Sequence, residues 1–379
     1  MQQDPVIPFE RVDTTSGLNN ILKSLQGVHA LAVDLEADSM FHYKEKVCLI
    51  QMASTQHLFI VDAIPIKDLS VLKPLFENRR IKKVFHGCDY DVRSLFRDFG
   101  IVIHNLFDTE LACRFLGFQQ SGLDAVLQTF FNVKLEKKYQ KKDWSKRPLP
   151  EAMVSYAAND VHHLLALAET LKKQLIEKNR LTWVEEECEL LSKVRPNTNT
   201  VTPLFLNFKG AGRLSPEDLA VLEALLNWRK QTARKKDLPL FKIIGSHPIL
   251  TLTKEKPQTK KALETCGALS ARQADMYGHQ LIDAIGKGRK TPDDDLPVYP
   301  RTRTPRMPES KIRLAKRLKL WKEKRASALA IDPSLVLNKS QTMDIARTSP
   351  ASVHDLEAID NLKSWQIREF GEEIIGCVN

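Results

Sequence analysis

No two cysteines in the sequence form a C-x-x-C pair. Cys48, Cys88, Cys113, Cys188, Cys266 and Cys377 are scattered, which argues against a zinc site or a disulfide framework and fits a reducing, cytoplasmic setting. No apolar run approaches the roughly 18 residues that a membrane-spanning helix needs. The opening MQQDPVIPFERVDTT carries neither the basic nor the apolar region of a secretory signal, so neither secretion nor membrane insertion is expected. A phosphate-cradling G-x-x-x-x-G-K-[ST] loop is also missing, because GKGRK at Gly286 has the wrong spacing. Acidic residues are outnumbered, 47 against 57 Lys and Arg, for a formal net charge of +10. Such an excess favours polyanionic partners without choosing between nucleic acid and anionic lipid.

What is present is the balance of an ordinary folded protein, with 42% hydrophobic and 27% charged residues in a chain of 379. At roughly 100 to 200 residues per domain, that length implies two or three domains. Three short apolar runs, HALAVDLEA, VCLIQMAS and HLFIVDAI, read as an antiparallel meander of strands. Beyond them LSVLKPLFEN reads as a helix, IKKVFHG as a strand, YDVRSLFRDFG as a helix closed by Gly100, and IVIHNLFDT as a strand. The pattern then turns helical through a long amphipathic run from Pro150 to Asn179, giving an α/β domain over residues 1–195. RPNTNTVTP reads as a linker, and the proline-rich, charged TPDDDLPVYPRTRTPRMPE as a tether. Around that tether stand two similar helical segments, in which Trp228 answers Trp321 and Asp237 answers Asp332. They predict a duplicated small all-α domain over 209–290 and 308–379.

Within LAVDLEA, Asp34 and Glu36 stand two apart in an apolar strand, so both side chains face the same way. Two carboxylates crowded on one apolar face call for a divalent cation between their oxygens; an exposed polar face is the alternative. In VFHGCDYDVRSL, a strand gives way to a helix whose first turn holds Asp89, a candidate cap, and Asp91, free to project toward the strand ends. In MVSYAANDVHHLL, Tyr156 and Asp160 lie one helical turn apart on the same face. Taken singly, each of the last two patterns also fits capping or a half-buried tyrosine beside a solvated aspartate.

The order D-x-E, then D, then Y-x-x-x-D resembles the tyrosine-containing branch of the DEDD exonuclease superfamily. DLEADSMFHYKEKVCLIQMAS, KVFHGCDYDVRSL, LFDTELACRFLG and DWSKRPLPEAMVSYAANDVHHLL narrow the likeness to the ribonuclease D family over most of residues 25 to 180. The two helical segments look like HRDC domains, modules that this family carries after its nuclease and that some DNA helicases carry too. A helicase reading lacks its phosphate loop here. The second copy matches less closely than the first, and KLEKKYQKKDW is more lysine-rich than the family pattern. The resemblance implies a ribonuclease H-like α/β domain, a mixed sheet with helices, followed by two all-α HRDC domains.

It further implies a 3'-to-5' exoribonuclease that releases 5' mononucleotides with two divalent ions, Mg2+ or Mn2+, about 4 Å apart. By that resemblance Asp34 bridges the ions, Glu36 and Asp160 hold the one that activates water, and Asp91 supports the other. Tyr156 orients the water, since a phenol of pKa about 10 is a poor base at neutral pH. The expected substrate is RNA with a free 3' end, transfer-RNA precursors in particular, handled by a monomer. The stretch from Lys134 to Arg147 holds seven basic residues with Tyr139 and Trp144 among them, a composition suited to phosphate contacts and base stacking, or simply a solvated loop. His42, His86, Lys138, Trp144 and Arg147 are the candidate RNA contacts. A DNA exonuclease of the same superfamily and a catalytically silent RNA-binding adaptor are the rival readings.

Overall fold

The computed structural model describes residues 8–66, 68–197, 202–300 and 307–379. These fall into two compact units: the described residues within 1–37, 47–196 and 305–379, and those within 38–46 and 197–304.

In the first unit, strand β1 (Glu10–Val12) and helix α1 (Thr15–Ser24) precede the meander β2 (Ala30–Ala37), β3 (Val47–Ala53) and β4 (Leu58–Asp62). The meander is antiparallel as expected, with Asp34 opposite Gln51 and Gln51 opposite Ile60. All seven residues of β3 are buried, as an internal strand covered on both faces must be. Helix α2 (Lys73–Glu77), β5 (Lys82–Phe85), α3 (Asp89–Phe99) and β6 (Leu106–Asp108) follow. The mixed sheet has the order β1-β4-β3-β2-β5-β6, with β5 parallel to β2 and β6 parallel to β5.

Two expectations are corrected here. LSVLKPLFEN begins as a 3-10 turn at Ser70–Leu72 before α2. Only Leu106–Asp108 of the run from Ile101 reach the sheet, because Asn105 adopts φ 54° and turns the chain just before β6.

The helical stretch comprises α4 (Thr109–Leu116), α5 (Leu123–Phe131), α6 (Glu151–His162), α7 (Leu164–Glu177) and α8 (Leu181–Ser192). The long run from Pro150 is thus two helices meeting at His163. In the second unit stand α9 (Pro216–Lys236), α10 (Leu240–Ile243), α11 (Ser246–Glu255), α12 (Lys260–Thr265) and α13 (Ala271–Arg289). The first unit ends with α14 (Glu309–Leu329), α15 (Pro333–Val336), α16 (Lys339–Thr348), α17 (Val353–Leu356) and α18 (Ser364–Val378).

The duplication is regular, with helix starts recurring 93 residues on, from Pro216 to Glu309, Ser246 to Lys339 and Ala271 to Ser364. Internal hydrogen bonds recur at the same offset. Trp228 Nε1 donates to Gln280 Oε1 at 3.0 Å, and Trp321 Nε1 to Glu373 Oε2 at 2.9 Å. The expected match of Asp237 with Asp332 is corrected by this register. Asp237 is the left-handed residue that ends α9, and its counterpart is Ala330, which ends α14. Asp332 instead caps α15, accepting from Ser334 N at 2.7 Å.

The second repeat shares a core with the nuclease. Trp365 stacks on Trp183 with centroids 4.9 Å apart and meets Phe115 edge-on at 5.4 Å. Its Nε1 donates to Glu187 Oε1 at 2.9 Å, and Lys363 Nζ donates to Glu187 Oε2 at 2.6 Å. Among the described residues no helix is long and apolar enough to cross a membrane.

Candidate active site

Strand β2 lies inside the sheet between β3 and β5, and its alternation puts Asp34 and Glu36 on one face. Its register shifts between Glu36 and Ala37, so the strand is irregular just where the carboxylates end. After β5 the chain turns through Gly87, whose φ of +73° is readily open only to glycine. It then enters α3 with Asp91 in the first turn. Helix α6 packs across β2, β3 and β4, bringing Tyr156 and Asp160 over the same face.

Asp34, Glu36, Tyr156 and Asp160 line one cavity of about 490 Å3, together with His86 and Lys137. Asp91 is buried, and its charge acts on Glu36. Burial pushes Glu36 up to about 10, with Asp34, Asp160 and Asp91 adding like-charge repulsion. Burial raises Asp34 to about 7, against the pull of a hydrogen bond from the Leu35 backbone. Asp91 and Asp160 are held well above the ordinary carboxylate range, by burial first and by Asp34 second. The Tyr156 phenol, raised by burial and then by Asp160, stays protonated and bonds Asp160.

Four carboxylates that raise one another's proton affinity, with no basic side chain among the groups shifting them, are a site short of positive charge. Among the described residues no three His, Cys, Asp or Glu side chains stand close enough together to hold a metal ion as placed. Asp34, Glu36 and Asp160 instead line a shared cavity, and Asp91 is not part of its lining. Oxygen-only donors of this kind suit hard divalent ions such as Mg2+ or Mn2+, so the donor set fits.

The residues expected to touch RNA differ in their surroundings. His86 lines the cavity; its Nδ1 is 2.9 Å from Thr109 Oγ1, its Nε2 is buried without a partner, and burial lowers its pKa. Lys138 lies 5.2 Å from the Tyr139 ring centroid and lines an adjoining recess with Tyr156. Trp144 is 1% exposed with its ring tilted against Tyr156 at 6.2 Å, so it backs the phenol and presents no stacking face. Arg147 grips Asp62 with Nε and Nη2 and bonds the Trp144 and Lys146 carbonyls with Nη1, both at 2.7 Å; it anchors its own loop. His42 belongs to the second unit, where Nδ1 is 2.7 Å from Asp237 Oδ2.

Two residues escaped the sequence reading. Asp108 ends β6 and caps α4 through Glu110 N at 2.9 Å and Leu111 N at 3.1 Å, while also accepting from Gly87 N at 2.9 Å and Cys88 N at 2.8 Å. One buried carboxylate thus fixes the turn that delivers Asp91. The supporting signal was the Asp-Thr-Glu triplet, a cap pattern at a strand end. Gln51, opposite Asp34 in the register, is fully buried with neither amide atom partnered. Its place on the carboxylate face follows from strand pairing, which the sequence does not display.

Residues 9–176 match the 3'-5' exonuclease family, and residues 218–285 and 311–378 each match the HRDC domain. Exosome complex component 10 of Mus musculus is 32% identical over 268 residues, spanning 68% of this chain but only 30% of that protein's length. Ribonuclease D of Acidiphilium cryptum is 29% identical over 372 residues, 96% of this chain and 91% of that one. The catalytic core of RRP6 from Trypanosoma brucei, a solved structure, is 32% identical with a TM-score of 0.66, covering 76% of this chain and 81% of that one. The class is that of a 3'-5' exonuclease domain followed by HRDC modules. Within it, the chain belongs to the ribonuclease D family of 3'-5' exonucleases.

Proposed function

We propose that the chain is a divalent-metal-dependent 3'-to-5' exoribonuclease that trims RNA with a free 3' end, transfer-RNA precursors included, and releases 5' mononucleotides. The observation that carries this reading is the meeting of Asp34, Glu36, Tyr156 and Asp160 on one cavity, with Asp91 buried and charge-coupled to them. Those four carboxylates would hold two ions, Mg2+ or Mn2+. Bound there, the ions would stabilise charge on the attacking and leaving oxygens of the phosphodiester.

The chain's own groups orient and position the substrate. The protonated Tyr156 hydroxyl directs the attacking water by hydrogen bonding and is unsuited to removing its proton. Lys137, paired with Asp124 at 2.8 Å, lines the cavity and supplies positive charge for the scissile phosphate. His86, neutral at physiological pH, offers a hydrogen bond to the terminal nucleotide. Lys138 extends the basic path, and Asp108 holds the turn that delivers Asp91. In this reading the chain is built as a nuclease over 1–195 and HRDC domains over 209–290 and 308–379, working as a cytoplasmic monomer.

The test is mononucleotide release from a 3'-tailed transfer RNA and from a matched DNA. Wild type should shorten the RNA stepwise with Mg2+ or Mn2+, and should stop on chelation and in Asp34→Asn. Equal activity in Asp34→Asn would remove the carboxylate site from the mechanism. Indifference to the 2'-OH would move the assignment to DNA, and tight RNA binding without hydrolysis would favour an adaptor.

A further inference from the structure

The duplication allows the two repeats to be compared position by position. In the first, the segment leading into α9 folds back onto it as a 3-10 turn, Leu204–Asn207. Phe205 is 2% exposed, and Leu204, Leu206 and Phe208 pack on the same core. Phe205 N donates to Glu223 Oε2 at 3.0 Å. The segment lies along Leu226 and Arg229, and Leu219 and Leu222 on the same helix are buried at 1% and 0% exposed.

In the second repeat this cover is missing among the described residues. Ile312, the counterpart of Leu219, is 39% exposed. With Ala315, the counterpart of Leu222, it lines an open groove of about 700 Å3 edged by Met307 and Met343. The rim has gained lysines at three positions, against one exchange the other way, Glu323 in place of Lys230, with Glu323 lying 3.8 Å from Lys319. Lys316 stands where Glu223 stands in the first repeat, Lys319 replaces Leu226, and Lys339 replaces Ser246; all three lysines line the groove. The chain's equivalent of the covering segment is spent elsewhere, since the Tyr299 ring lies 6.2 Å from Phe205 and its hydroxyl donates to Leu206 O. The next residues, RTRTPR, carry the wrong charge for a lysine rim.

We propose that this groove of the second repeat docks a short peptide segment of a partner protein, with aromatic or aliphatic anchors flanked by Asp or Glu. The first repeat supplies the precedent for the binding mode, an apolar segment seated on the long helix. The exchange of Glu223 for Lys316 converts an acceptor for a backbone N–H into a donor, so the occupant must offer carboxylates or carbonyls. Nucleic acid fits less well, because no aromatic ring lines the groove and bases bind such surfaces chiefly by stacking.

The test is fluorescence anisotropy of the full chain with a labelled peptide, Glu-Asp-Pro-Leu-Phe-Leu-Asn-Phe-Asp-Glu, whose centre copies the segment that covers the first repeat. Saturable binding is expected, weakened about tenfold or more by Ile312→Asp and by Lys316→Glu. Lys319→Glu, at a rim position whose side chain is 67% exposed, should also weaken binding while circular dichroism stays native, so that a folding defect in either of the other variants does not leave the question open. A peptide with lysine flanks should bind at least about tenfold more weakly. Lack of saturable binding, or binding indifferent to all three substitutions, overturns the proposal. Displacement of the peptide by oligouridylate whose own affinity depends on Ile312 would assign the groove to RNA instead. Self-association lost in Ile312→Asp would assign it to a second copy of the chain. The assay reads binding, so its result stands whether or not the chain hydrolyses RNA.

Discussion

Tyr156 is held by the rings of Tyr139, at 5.7 Å, and Trp144, and all the polarity of its tip goes to the cavity. Tyr156→Phe keeps that packing, so stability should change by no more than about 1 kcal/mol. The water would lose its guide, and kcat on a 3'-tailed RNA should fall about a hundredfold with KM little changed. A matching loss in KM would place the phenol in substrate binding instead. Lys83 is a different kind of buried residue. Fully enclosed, it donates to Asn78 O at 2.7 Å and Ile81 O at 2.6 Å, yet burial lowers its pKa from 10.5 to about 8. Between those two values the unfolded chain holds more protons than the folded one, so this residue makes stability rise with pH from about 8 to about 10.5. Urea titrations of wild type and Lys83→Met should therefore diverge across that window, by roughly 1 to 3 kcal/mol in favour of wild type at the upper end. Parallel curves would mean that the ammonium is solvated. The acidic pattern was legible because paired carboxylates in an apolar strand are conspicuous. Lys83 and Gln51 were not, since an alternating strand gives no sign that both of its faces are covered.

At the scale of elements, Asp108 joins two helix starts that are 20 residues apart in the chain. Its carboxylate accepts the N–H groups of Gly87 and Cys88 before α3 as well as those of the first turn of α4. Asp108→Ala strips both starts at once and leaves buried donors unpaired, so it should cost about 2 to 4 kcal/mol in chemical denaturation. Activity should fall further than stability alone explains, because α3 carries Asp91; Asp108→Asn, which keeps acceptors on one side only, should lie between. Activity that survives in folded Asp108→Ala would show that the α3 turn does not depend on this anchor. The meander and α3 were readable from short apolar runs and from Gly100, whose left-handed φ of 62° closes the helix. The break at His163 and the shortness of β6 were not, as both depend on contacts that an amphipathic pattern leaves unstated. Aligning the repeats on their tryptophans was sound. Aligning them on aspartates was not, because Asp serves equally at a left-handed helix end and at a helix cap.

At the scale of the whole molecule, sequence punctuation separates three segments, whereas packing joins the last of them to the nuclease through one continuous core. A proline-rich tether records where the chain crosses between elements, not which apolar faces meet. The joint is specific. Arg180 donates to Phe115 O and to Leu329 O, both at 2.7 Å, and Trp365, fully buried, fills the space between Phe115, Trp183 and Phe370. A unit with one core should melt as one, so calorimetry should resolve two transitions, one of them carrying the nuclease and the second repeat together. Trp365→Ala empties a large buried site at a cost of about 3 to 5 kcal/mol. It should lower that transition by roughly 10 °C and heat inactivation of the nuclease in step with it, while the transition of residues 197–304 stays in place. If Trp365→Ala instead splits off a third transition and leaves the inactivation temperature unchanged, the second repeat folds independently and its contact with Glu187 and Trp183 is a docking surface, not part of the nuclease core.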